Sequence, residues 1–201
     1  MLFILAVSTT SVAYGSSRAA ENANASGNRA LDRGKLDVAL KNYQKALQRA
    51  KADGDRQYEA IAMYGLARAN ARLCMLEEAE KWFQESIVTR ESLPDEPTAY
   101  LTQNWIEFGR FLQAHDRHND AAKFFALAMP RLEALGIEAS DPIGYAEFLD
   151  DFGASLAAAG RSGEARPLYE KSEALRQQHP GRTAGFSAKP YPKKCEAAKA
   201  N

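Results

Sequence analysis

The 201 residues suffice for one domain of ordinary size with a sizeable core, and the abundant alanine and scattered glycine exclude a disordered or collagen-like chain. Lys plus Arg and Asp plus Glu number 26 each, so no net charge draws in nucleic acid or an anionic membrane. Two cysteines, Cys74 and Cys195, are too few for a disulfide framework.

Residues 1–15 carry no charged side chain, have an apolar core at Leu2–Val7, and offer small residues at Ala13 and Gly15. That outline predicts a secretory signal and an exported mature chain starting near Ser16; the alternative is an apolar lead-in helix of a cytoplasmic protein. The run is far shorter than the about 20 apolar residues that span a bilayer, so no integral membrane segment is expected. If the chain is exported, the two cysteines could pair; otherwise Cys74 is a small residue in a tight turn.

Residues 16–180 read as one helical domain of four units, 16–53, 58–92, 98–136 and 141–180. Ala23, Gly27 and Ala30 fall at helical spacing in a polar first helix. Leu36, Ala39, Leu40, Tyr43, Ala46, Leu47 and Ala50 form a clean apolar stripe, with Asp37 in the first turn and a break at Asp53–Gly54–Asp55. Met63, Leu66 and Ala67 make the next stripe, interrupted by polar Asn70, and Leu76, Ala79, Phe83 and Ile87 the one after. A linker at 92–97 leads to Pro97, well placed to open a helix lined by Trp105, Phe108, Gly109 and Leu112. Ala121, Phe124, Phe125, Ala128 and Leu132 follow, with Pro130 predicting a kink or early end. Asp141 is a candidate N-cap with Pro142 at the first helical position, ahead of Leu149, Phe152, Gly153 and Leu156. Ala165, Leu168, Tyr169 and Ser172 line the eighth helix, which Pro180–Gly181 ends. Residues 181–201 hold five basic residues, one Glu and no periodicity, and read as a basic, mostly disordered tail.

Ala39, Ala79, Ala121 and Ala165 recur at intervals of 40, 42 and 44, each followed four residues on by Tyr43, Phe83, Phe125 or Tyr169. A fixed period of that size marks a solenoid of stacked units. Helix-turn-helix units with Leu-Gly in the first helix, a Gly turn, and Ala, an aromatic and Ala in the second resemble tetratricopeptide repeats. Trp105, Phe108, Gly109, Leu112, Ala121, Phe125 and Ala128 fit best; Asn70 and the opening helix of the first unit depart from the pattern. The long period is similar to that of kinesin light chains. The resemblance implies an all-α, right-handed superhelical solenoid that binds a peptide or partner protein in its concave groove, with no enzymatic activity and no cofactor. Structural self-association, or capping of a larger assembly, is the alternative, and a homo-oligomer is possible.

In such a solenoid the concave face takes Asn24 and Asn28; Tyr64, Arg68 and Arg72; Ile106, Arg110 and Gln113; and Asp150 and Ala154. The spacing of Tyr64, Arg68 and Arg72 turns all three one way. Three arginines beside amide side chains suit a carboxylate or acidic peptide, or else pair with acids such as Glu107. The chaperone-binding members of the family clamp a terminal carboxylate at places that here hold Asn24, Asn28, Gly65, Gln103 and Glu107; only Asn28 fits. His115, His118 and Asp120 lie close in sequence, but on a turn and without a fourth ligand, so no metal site is assigned. No phosphate-cradling glycine loop or nucleophile elbow is present.

Overall fold

The computed structural model describes residues 18–94, 98–185 and 191–192. Residues 1–15, expected from the sequence to form a secretory signal, lie outside them, as do Pro97 and most of the tail. The described residues fold as α1 (Arg18–Asp32), α2 (Leu36–Asp53), α3 (Arg56–Arg72), α4 (Leu76–Glu91), α5 (Thr98–Ala114), α6 (His118–Ala134), α7 (Ile137–Ser140), α8 (Pro142–Ala158) and α9 (Ser162–Gln178). Within a unit, α1 packs on α2, α3 on α4, α5 on α6 and α8 on α9; α2 against α3, α4 against α5 and α6 against α8 join unit to unit. The fold is an all-α solenoid of stacked helix pairs.

The turns inside the units share one geometry. Gly34, Cys74, Asp116 and Gly160 all have positive φ, from 59° to 80°. Each is followed by a residue whose N–H reaches back to the first helix: Lys35 to Ala30, Met75 to Asn70, Arg117 to Leu112 and Arg161 to Leu156. These are Schellman closures, which satisfy carbonyls left open at a helix end. Cys74 therefore stands where a glycine would, as the sequence alignment placed it.

In three of the units an aromatic ring of the second helix is set over a glycine of the first. Tyr43 lies over Gly27, Phe125 over Gly109 and Tyr169 over Gly153; a Cβ added at those glycines would come 2.6, 2.9 and 2.8 Å from the ring. Ala39, Ala79 and Ala121 are fully buried, which lets the two helices of a unit close on each other. The expected doubt at Asn70 is resolved locally: its amide donates to the Leu66 carbonyl (2.9 Å) and it stays buried. Ser86, where the repeat pattern asks for Ala, donates to the Ala60 carbonyl (2.8 Å) and accepts from Asn104 (2.6 Å), tying α3, α4 and α5 together.

Two features differ from the sequence expectation. The 136–141 linker contains the one-turn helix α7, and α6 continues four residues past Pro130. Asp141 caps α8 as expected, accepting from the Gly144 N–H at 3.0 Å, with Pro142 opening the helix. Among the described residues no helix is long and apolar enough to cross a membrane.

Candidate functional site: the concave groove

The residues expected on the concave side lie on α1, α3, α5 and α8, the first helices of the units. Two cavities border these helices. One, of about 370 Å³, is lined by Asn24, Asn28, Tyr64 and Arg68 together with Gln103 and Asn104. The other, of about 250 Å³, is lined by Ile106 and Arg110 with Gln103, Glu107 and Tyr145. Of the candidate residues, Arg72, Gln113, Asp150 and Ala154 line neither cavity.

Arg110 is committed to the fold. Its Nε donates to Asp151 Oδ2 at 2.6 Å and its guanidinium reaches Glu107 Oε1 at 3.2 Å. Gln113 donates its amide to the Asp151 backbone carbonyl at 2.9 Å. Both therefore join α5 to α8. Burial pushes the Asp151 carboxyl upward, and Arg110 offsets only part of that; burial alone would lower Arg110, but Asp151 and Glu107 hold it charged. Of the two alternatives open for the arginines, Arg110 follows the one in which it pairs with acids.

Arg68 behaves differently. It holds the position on α3 that Arg110 holds on α5, and the repeat register makes Glu107 its counterpart of Asp151. Among the described residues it makes no ion pair. Its guanidinium lies 5.3 Å from the centre of the Tyr64 ring, and its buried Nε has no acceptor. Arg72 Nε and the Tyr64 hydroxyl are likewise buried without partners, as is Asn24 Oδ1. Burial raises the Tyr64 phenol, with Glu107 adding to it. Asn28 is occupied: its Oδ1 accepts from the Tyr43 hydroxyl at 2.7 Å.

Two residues at the groove were not among the site candidates. Glu107 is buried, and as a lone acid in a helix it carries no local mark of its role. Tyr191, which composition places in the aperiodic tail, is buried at 5% exposure. Its hydroxyl donates to Glu107 Oε2 at 2.8 Å, and its ring stands edge-on to Phe83 and Phe111, with centroids 6.4 and 6.0 Å away. Earlier in the tail, the Gly185 N–H reaches the Asp141 carboxylate at 3.1 Å. Cys74 is disulfide-bonded, and the chain's other cysteine is Cys195.

The turn residues do not assemble a metal centre. His118 Nε2 sits 3.6 Å from Asp116, and Asp120 is bound by Arg117 and Lys123. Among the described residues, no three of His, Cys, Asp or Glu converge on a metal-sized site.

Comparison with known proteins agrees with this architecture. The tetratricopeptide repeat family model matches residues 18–92. The crystal structure of BtubC (BKLC) from P. vanneervenii superposes with a TM-score of 0.72 at 20% identity, covering 85% of this chain and 68% of that one. The crystal structure of MamA superposes with a TM-score of 0.60 at 17% identity, covering 79% of each chain. No curated protein matches the sequence. Residues 18–92 thus carry the tetratricopeptide repeat pattern, and α5–α9 continue the same paired stacking beyond the matched stretch.

Proposed function

We propose that this chain is a non-enzymatic adaptor that holds an extended segment of a partner protein in its concave groove, chiefly against α1, α3 and α5. The observation that carries the reading is the polar surface at Arg68: its buried Nε and the neighbouring Tyr64 hydroxyl lack partners among the described residues, and both side chains line a cavity of about 370 Å³, with Arg72 Nε likewise unpartnered one turn along α3. Buried polar atoms left unsatisfied cost about 1–3 kcal/mol each, a cost a ligand can remove. Two guanidinium groups one turn apart suit a carboxylate on that segment. Arg110 and Gln113 frame the groove rather than contact the partner.

The test compares the full chain with its Arg68→Glu, Arg72→Glu double variant as bait for crosslinked capture in the native host. A set of partners held by the unmodified chain and lost from the variant is the expected result. Equal recovery by both removes the groove from the account. Export goes with this reading, supported by the disulfide at Cys74, which is characteristic of oxidising compartments. The intact mass of the native protein is then expected to lack about the first fifteen residues; a full-length mass returns it to the cytoplasm.

A further inference from the structure

Tyr191, a residue thirteen positions beyond the last helix, packs on Phe83 of α4 and on Phe111 and Glu107 of α5, close enough to Arg68 on α3 to act on its charge. It joins the aromatic core from outside the repeat units, whose own recurrent rings are Tyr43, Phe83, Phe125 and Tyr169. Its contacts have the form of a ligand's: a hydroxyl fixed by one carboxylate, and a ring with its edge to two phenylalanines. Pro190 and Pro192 flank it in sequence, a setting that favours extended backbone.

Its position also explains why Arg68 is idle. On the next step of the stack Arg110 closes on Asp151, so the equivalent closure is Arg68 on Glu107. Tyr191 takes the second oxygen of Glu107, while Arg110 takes the first. Both Tyr191 and Glu107 lie near enough to Arg68 to act on its charge. The ladder of charge pairs along the groove is thus interrupted at the rung the tail occupies.

Resting on the groove reading above, we propose that the groove is self-occupied: Tyr191 is its resident ligand, and a partner enters by presenting a tyrosine of its own in an extended segment and displacing it. The Cys74 disulfide serves as the latch. Cys74 lies at the turn between α3 and α4, two residues past the helix that carries Arg68, and Cys195 follows Tyr191 by four residues. A tether that short keeps the effective concentration of Tyr191 at its socket in the millimolar range or above, well beyond an ordinary free competitor. A dithiol reductant opens the latch: the S–S bond takes two electrons and two protons to give two thiols, while the reductant closes its own disulfide.

The probe is a fluorescent peptide of residues 182–194, which contains the tyrosine and no cysteine, followed by anisotropy on the full chain. The reduced Tyr191→Ala chain is expected to bind it at least tenfold more tightly than the oxidised unmodified chain. The peptide carrying the same Tyr191→Ala change is expected not to bind. Equal affinity of the two chains, or binding to neither, overturns the proposal. Should the variant fold poorly, acetylation of tyrosines in the unmodified chain gives an independent reading. Tyr191 is expected to react at least tenfold more slowly than exposed Tyr100 and Tyr169, and to approach their rate after reduction. Reaction at their rate before reduction overturns the occupancy, and no rise after reduction overturns the latch. Neither readout uses a partner protein. Failure of the adaptor reading, seen as equal capture by the Arg68→Glu, Arg72→Glu chain, is therefore distinct from failure here.

Discussion

Tyr43 shows how tightly single positions are specified. Its ring is wholly buried between α1 and α3, with Gly27 on one side and Gly65 on the other. A Cβ at Gly65 would stand 2.4 Å from the ring. Gly65→Ala should gain up to about 1 kcal/mol of helix propensity, but overpacking so close a contact costs about 2–3 kcal/mol. A net loss of about 1–2 kcal/mol in denaturant unfolding is expected, whereas Gly163→Ala, with nothing within 4 Å, should not destabilise. Burial also raises the Tyr43 phenol to about 12. A raised folded-state value means that its contribution is intact below the unfolded value near 10 and is lost as pH climbs towards 12. That component is at most about 3 kcal/mol, so the denaturation midpoint should fall between pH 10 and 12, and fall less in Tyr43→Phe.

At the scale of elements, the chain divides into two cores of different substance. Around α1, α2 and α3 the buried set is mostly alanine, with Leu31, Leu47, Met63, Leu66 and a single aromatic, Tyr43. From α4 onwards the core holds Phe83, Trp105, Phe108, Phe111, Phe125, Tyr145, Phe148 and Phe152. Large rings bury far more apolar area than alanine, so the first unit gains less from packing. Native-state hydrogen exchange is expected to open α1 and α2 first and to leave α5 and α8 the most protected; the reverse order would refute this. The α5–α8 joint depends on charge as well as rings. Arg110→Ala leaves Glu107 buried and Asp151 partly buried with no cation, and a loss of about 2–4 kcal/mol is expected in chemical unfolding.

The repeat units were legible because Ala, Gly and the aromatic recur at fixed offsets, and each offset is one helix-pair contact repeated. The N-cap at Asp141 and the turn at Cys74 were legible for the same local reason. The fate of the arginines was not. Arg68 and Arg110 look alike in sequence, and only the register between neighbouring units sends Arg110 to Asp151 and leaves Arg68 facing an occupied socket. Tyr191 carries no local signal, because its burial rests on Glu107, Phe83 and Phe111, each about 80 to 110 residues away along the chain.

At the scale of the whole molecule, the function proposed above makes the inner face the working surface of a scaffold. Gln103 lines both cavities of that face, and Val88 on α4 is 65% exposed on the stack. The most direct measurement places a photo-crosslinking side chain at Gln103 or at Val88 in the full-length protein within its native host. Adducts to a partner protein from position 103, and few or none from position 88, are the predicted result. Adducts of equal yield from both positions, or from 88 alone, would contradict a groove-binding scaffold.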